Sequence, residues 1–225
     1  MTPEDHPARL RARPAAPPAG PGPAPGRTAL GLGRGRDGLL HVPPAAAAGE
    51  PLALMVVLHG AGSSAARAID LMVALADEAG IVLLAPDSRA ATWDVIRGGF
   101  GPDVAFLDRA LERVFATCPV DPARLVLGGF SDGASYALSL GIGNGDLFTH
   151  LVAFSPGFAA PGVQVGRPRV FVTHGAHDAV LPIDRCSRRL VPALRGADYD
   201  VTYEEFDGGH VVPPELARQA AVWVG

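Results

Sequence analysis

Hydrophobic residues fall into short unbroken runs separated by longer stretches of mixed polarity, and the two kinds alternate along most of the chain. Residues 52–58 (LALMVVL) are wholly apolar and end at His59-Gly60. A run of that length bounded by turn residues fits a strand buried on both faces. Residues 64–79 then carry Ile69, Leu71, Met72, Leu75 and Ala76 at helical spacing, and Gly80 stands where a left-handed residue stops a helix. The alternation continues. It predicts strands at 81–85, 125–128, 151–154, 169–173 and 199–206, and helices at 102–118, 132–140, 183–194 and 213–224. Upstream, residues 28–32 and 39–42 are extended runs joined by a Gly/Arg-rich turn, the pattern of a hairpin. Strands alternating with helices imply a parallel sheet with right-handed crossovers and helices on both faces. The hairpin adds an antiparallel edge. The expectation is one α/β domain over residues 27–225, with its chemistry in the loops at the carboxyl ends of the strands.

The first 26 residues break this pattern. They are dominated by Pro, Ala, Gly and Arg, a composition that predicts a disordered extension dispensable for the fold. They hold no apolar stretch suited to a signal peptide, and Glu4 and Asp5 stand where its basic segment would be, so a cytoplasmic location is expected. Composition narrows the chemistry further. A net charge of −4 argues against nucleic acid as a partner, and the chain has no apolar run of membrane-spanning length. All 19 basic residues are arginine, which excludes every mechanism built on a lysine. The two cysteines, Cys118 and Cys186, are too few for a zinc cage of their own and form no C-x-x-C pair.

The residues that carry chemistry lie after predicted strands. Gly129-Phe130-Ser131-Asp132-Gly133 follows the strand at 125–128 and opens a helix, the setting in which G-x-S-x-G presents a nucleophilic serine. The sharp turn exposes the hydroxyl, the two glycines remove side chains that would collide, and the helix start offers N–H groups to a developing oxyanion. A serine needs a base, and the base needs an orienting carboxylate. Asp178 follows the strand at 169–173, and His210 lies in the Gly-rich loop after the strand at 199–206. Asp184 and Asp207 are the competing acids, and His174, His177 and Asp178 together have the composition of a metal cluster, though on a poor scaffold. The His59-Gly60-Ala61-Gly62 turn after the first buried strand is expected to bring the N–H of Ala61 beside that of Asp132 as an oxyanion hole, with His59 holding the loop. Gly60, and Trp93 and Phe100 from the irregular stretch 87–101, are the expected substrate contacts. No cofactor and no metal are required.

These segments, LHGAG (58–62), APDSR (85–89), GGFSDGA (128–134), FSPG (154–157), HGAHDAVLP (174–182) and GGH (208–210), resemble the α/β-hydrolases. The likeness is to esterases of the phospholipase/carboxylesterase and polyhydroxybutyrate-depolymerase types, over residues 39–225. The resemblance implies hydrolysis of a small-molecule carboxylic ester or thioester of small or medium acyl chain, through an acyl-serine. It departs from many lipases in one respect: residues 155–168 are too few for a large cap, so an open site is expected. The fold allows a homodimer. A small serine peptidase and a non-catalytic binding module on the same fold are the competing functions.

Overall fold

The computed structural model describes residues 3–14 and 22–224. Eight strands form one sheet: β1 (Gly26–Ala29), β2 (Gly38–Val42), β3 (Leu52–Leu58), β4 (Ile81–Pro86), β5 (Val120–Phe130), β6 (His150–Phe154), β7 (Arg169–Gly175) and β8 (Val201–Phe206). Their spatial order is β1-β2-β4-β3-β5-β6-β7-β8. The β1–β2 and β2–β4 pairs are antiparallel and all the others parallel, so the N-terminal hairpin forms the antiparallel edge. Four helices cross over between strands, α1 (Ala65–Ala79), α2 (Pro102–Thr117), α3 (Asp132–Ile142) and α4 (Ser187–Gly196), and α5 (Pro214–Val224) follows β8. Among the described residues no helix is long and apolar enough to cross a membrane.

The strand runs are uniformly apolar because both faces of the sheet are covered. Along β3, Leu54, Val56 and Leu58 join one core with Leu107, Tyr136 and Leu140, while Ala53, Met55 and Val57 join the other with Ile69, Met72 and Ala220. The period of two along the strand thus feeds two cores. β5 starts earlier than its apolar run because Leu52 pairs with Val120, after which the register shifts and Leu54 pairs with Leu125. The interruption contains Pro122, which has no N–H to give a ladder.

The connection order sets the site. The chain leaves β3 for β4 on one side and returns to place β5 on the other, so the carboxyl ends of β3 and β5 flank the point where the winding reverses. That crevice is where open α/β sheets bind ligands. α1 is stopped by Gly80, in the left-handed region at φ 67°, and its first N–H, on Ala65, is capped by Asp87 Oδ1 at 2.8 Å.

The structure differs from the sequence expectation at the N-terminus. Ala8, Leu10 and Ala12 are buried in the main core, although composition assigns them to a disordered extension. Asn144 holds this strap on both sides, its Oδ1 accepting from Leu10 N–H at 2.8 Å and its Nδ2 donating to Ala8 O at 2.8 Å. Asp108 Oδ1 accepts from the N–H groups of Arg11 and Ala12. Arg9 grips both carboxylate oxygens of Asp146 at 2.7 Å, and that guanidinium holds the carboxyl at about 2. The strap is therefore part of the domain. A chain beginning at Arg27 is expected to melt at a lower temperature than the full chain, and Leu10→Ala to cost on the order of 2 kcal/mol in denaturant unfolding. Unchanged stability of both would show that the strap contributes nothing.

Candidate active site

The sharpest constraint in the crevice is steric. Ser131, between β5 and α3, has φ 58° and ψ −120°, a conformation non-glycine residues rarely adopt. Its N–H is fixed by Phe154 O at 2.9 Å. The turn fits only because its flanks lack side chains. A Cβ on Gly133 would overlap the carbonyl oxygens of Leu58 and His59, and one on Gly129 would fall 2.8 Å from Leu58 O. The two glycines let the start of α3 press against the end of β3.

Ser131 Oγ lies 2.9 Å from His210 Nε2, and His210 Nδ1 lies 2.6 Å from Asp178 Oδ2. The three residues come from the ends of β5, β8 and β7. His210 also packs against the Phe130 ring, with centroids 4.7 Å apart. Asp178 has no freedom left: its Oδ1 accepts from the N–H groups of Val180 and Leu181 at 2.9 and 2.8 Å. Burial pushes its carboxyl up, but the hydrogen bonds from Leu181, His210 and Val180 prevail and hold it below its ordinary value. The competing acids are occupied elsewhere. Asp184 pairs with Arg188 at 2.8 Å, and Asp207 lies 3.0 Å from His177, both out on the surface.

His59 and His174 brace the site without entering that chain. His59 Nδ1–H donates to Gly60 O at 2.7 Å, and its Nε2 accepts from Ser88 N–H at 3.0 Å, which fixes the turn at the end of β3. His174 is fully buried. Its Nε2 lies 2.8 Å from Leu181 O and 3.2 Å from Asp178 Oδ2, and its Nδ1 lies 2.7 Å from Ser187 Oγ. Facing a carbonyl and a carboxylate, Nε2 carries the proton and steadies the loop that holds Asp178. The N–H groups of Ala61 and Asp132 have no hydrogen-bond partner among the described residues, while the Asp132 carboxylate is held by Thr92 Oγ1 at 2.6 Å.

Gly60 lines a hollow of about 290 Å³ at Ser131 and His210, which Val180 also lines. The other two expected substrate contacts lie elsewhere. Trp93 is fully buried, stacks on Tyr136 at 5.1 Å and donates Nε1–H to His59 O at 2.8 Å, so it supports the turn from below and has no surface for a ligand. Phe100 packs near Tyr136 and His6, outside the hollow. The stretch 87–101 braces the turn after β3 from behind and is itself held by buried Asp103, which accepts from the N–H groups of Arg89 and Asp94. Residues 155–168 lie along α3, tied by Gly157 N–H to Ser135 Oγ and Ala160 N–H to Ser139 Oγ, both at 2.9 Å. Thr92, Phe130 and His174 are the site residues that sequence reasoning missed. Phe130 carried a signal as the unspecified position of the serine motif, and His174 stood out only as part of a metal-like cluster, not as a brace for Asp178.

No protein-family model matches the chain. It is 31% identical over 175 residues to NocK of Nocardia uniformis subsp. tsuyamanensis, a protein provisionally named an esterase. That match takes in 72% of this chain, which spans about half the length of the relative, 50%. Among solved structures it is similar to esterase PE8, with TM-score 0.68 and 24% identity over 83% of this chain and 96% of that one. It is also similar to FphF, a fluorophosphonate-binding serine hydrolase of Staphylococcus aureus, with TM-score 0.68 and 14% identity over 91% and 99% of the two chains. A phospholipase/carboxylesterase of Dyadobacter fermentans gives TM-score 0.61 and 19% identity over 77% and 90%. These likenesses show the α/β-hydrolase fold.

Three buried histidines give the domain an acid limit. Burial is the largest influence on His59, His150 and His174 and pushes each below its ordinary value, against the pull of Gly60 O on His59 and of Leu181 O and Asp178 on His174. Unfolded, each takes up a proton near 6.5, so below that pH the unfolded chain binds more protons than the native one. Their contribution is complete above pH 6.5 and is lost as the pH falls through the lower folded values. The melting temperature by calorimetry is expected to be lower at about pH 5.5 than at about pH 7.5. An equal or higher value on the acid side would contradict this.

Proposed function

We propose that this chain, an α/β-hydrolase by fold, is a serine hydrolase that cleaves small-molecule carboxylic esters through an acyl-serine intermediate. The observation that carries the reading is the unbroken run of hydrogen-bonding distances from Ser131 Oγ through His210 to the buried Asp178. The esterase names of NocK and PE8 support it. In this reading Ser131 Oγ attacks the ester carbonyl carbon while its proton passes to His210 Nε2. Asp178, accepting from His210 Nδ1–H, fixes the tautomer and stabilises the imidazolium. The carbonyl oxygen becomes an oxyanion, bound by the N–H groups of Ala61 and Asp132 at the start of α3. Collapse expels the alcohol with the proton from His210. Water then gives a proton to His210 as it attacks the acyl carbon, and Ser131 recovers that proton as the acid leaves.

The acyl chain is small or medium in this reading, because the hollow over Ser131 measures only about 290 Å³ and no cap extends it among the described residues. The site serves esters met in the cytoplasm and is complete within one chain, so a homodimer is not needed for turnover.

The test is labelling with a fluorophosphonate together with hydrolysis of p-nitrophenyl esters of rising acyl length. Wild type is expected to label and to turn over the short esters. Ser131→Ala should take no label and lose at least about 10⁴-fold in kcat. Asp178→Asn, which keeps size but admits the wrong tautomer of His210, should lose about 10⁴-fold with folding intact. Asp184→Asn and Asp207→Asn should each cost less than about tenfold, since neither side chain reaches His210. Full labelling of Ser131→Ala would remove the nucleophile assignment, and a severe Asp207→Asn with a mild Asp178→Asn would replace the acid.

A further inference from the structure

We infer that the ester cleaved at this site carries a small oxyanion, a carboxylate, on one of its two arms, and that Arg67 is the specificity-determining residue that receives it. The inference rests on the esterase reading above and names its substrate class.

A second hollow, of about 280 Å³, opens between the carboxyl end of β3 and the first turns of α1. Leu58, Ala68, Leu71 and Phe130 give it apolar walls. It shares Gly60, Ser63 and Phe130 with the hollow over Ser131 and His210, so the two are neighbouring compartments along one wall. An ester held at Ser131 has two arms, and the one passing Gly60 runs between Phe130 and α1. Among the described residues, Arg67 is the one acidic or arginine side chain lining this second hollow.

Arg67 is uncommitted. It has no ion pair or side-chain hydrogen bond among the described residues, whereas the nearby carboxylates are taken. Asp87 caps Ala65 N–H at 2.8 Å and lies 3.9 Å from Arg36, and Asp70 pairs with Arg27 at 2.7 Å. Arg67 is the third residue of α1, a helix of 15 residues, so the positive end of the helix dipole favours the same ligand charge. Arg67 is exposed, so a purely alkyl arm in this hollow gains nothing from its guanidinium. A carboxylate at the end of a short apolar arm instead gains charge-assisted hydrogen bonds to a planar donor fork. The walls ask for a short apolar spacer, and the rim asks for an anion.

The test compares matched ester pairs in wild type, Arg67→Glu, Arg67→Gln and Arg67→Lys. One pair varies the acyl arm, mono-p-nitrophenyl glutarate against p-nitrophenyl valerate. The other varies the alcohol arm, 4-carboxyphenyl acetate against phenyl acetate. The readout is the anionic-to-neutral ratio of kcat/KM, in which a general loss of activity cancels. In one pair that ratio is expected to fall about tenfold or more in Arg67→Glu, chiefly through KM, because reversal replaces attraction by repulsion. It should fall less in Arg67→Gln, stay within about threefold of wild type in Arg67→Lys, and shrink in wild type as salt is raised. Ratios that do not move in Arg67→Glu for either pair, while neutral esters are still cleaved, overturn this inference alone. A wild-type chain that cleaves no ester and takes no fluorophosphonate label overturns the esterase reading and this inference with it.

Discussion

The close approach of two backbones organises the molecule. The end of β3 and the start of α3 meet with only glycine between them, so Gly133 lies where any side chain would strike the carbonyls of Leu58 and His59. That contact fixes the unusual dihedrals of Ser131 and brings the turn after β3 beside it. Such strain costs on the order of 1–3 kcal/mol and persists only where the surroundings leave no alternative. Here they leave none: Phe154 O takes the Ser131 N–H, and both sides of β5 are filled by core.

The remaining parts hold fixed what the elbow exposes. His59 locks the facing turn with both ring nitrogens, and Trp93 supports it through a hydrogen bond to the His59 carbonyl. His174 and the N–H groups of Val180 and Leu181 do the same for Asp178. Burial keeps the two bracing histidines neutral, so they serve as oriented donors and acceptors rather than charges. The N–H groups of Ala61 and Asp132 are left unengaged beside Ser131.

Much of this was legible in the chain because it is local. The elbow shows as five consecutive residues, and Asp178 and His210 each follow a run with strand character. What could not be read depends on distant contacts. The stretch 87–101 looks like a pocket wall because it is irregular and aromatic, yet Tyr136 and the His59 carbonyl, both remote in sequence, draw Trp93 inward. Asn144 lies more than 130 residues from the strap it secures. Composition also misleads there: averaged over 26 residues, Pro and Ala read as disorder, while Ala8, Leu10 and Ala12 repeat with the period of an extended segment laid on a core. Arg67 sits on the polar side of an amphipathic helix and reads as an ordinary solvated charge until the hollow beside it is seen.

The position of Trp93 has an optical consequence. The chain has two tryptophans, and they occupy unlike places. Trp223 packs against Phe171 and His150 beneath Arg169, in the second core. Trp93 is sealed under the turn that faces Ser131, with its indole N–H on the His59 carbonyl. Any event that shifts that turn, whether acylation, ligand entry or product escape, changes the polarity and hydrogen bonding felt by one indole while leaving the other as it was. With Trp223 replaced by Phe, the emission of Trp93 becomes an intrinsic fluorescent reporter of turnover, with no label attached.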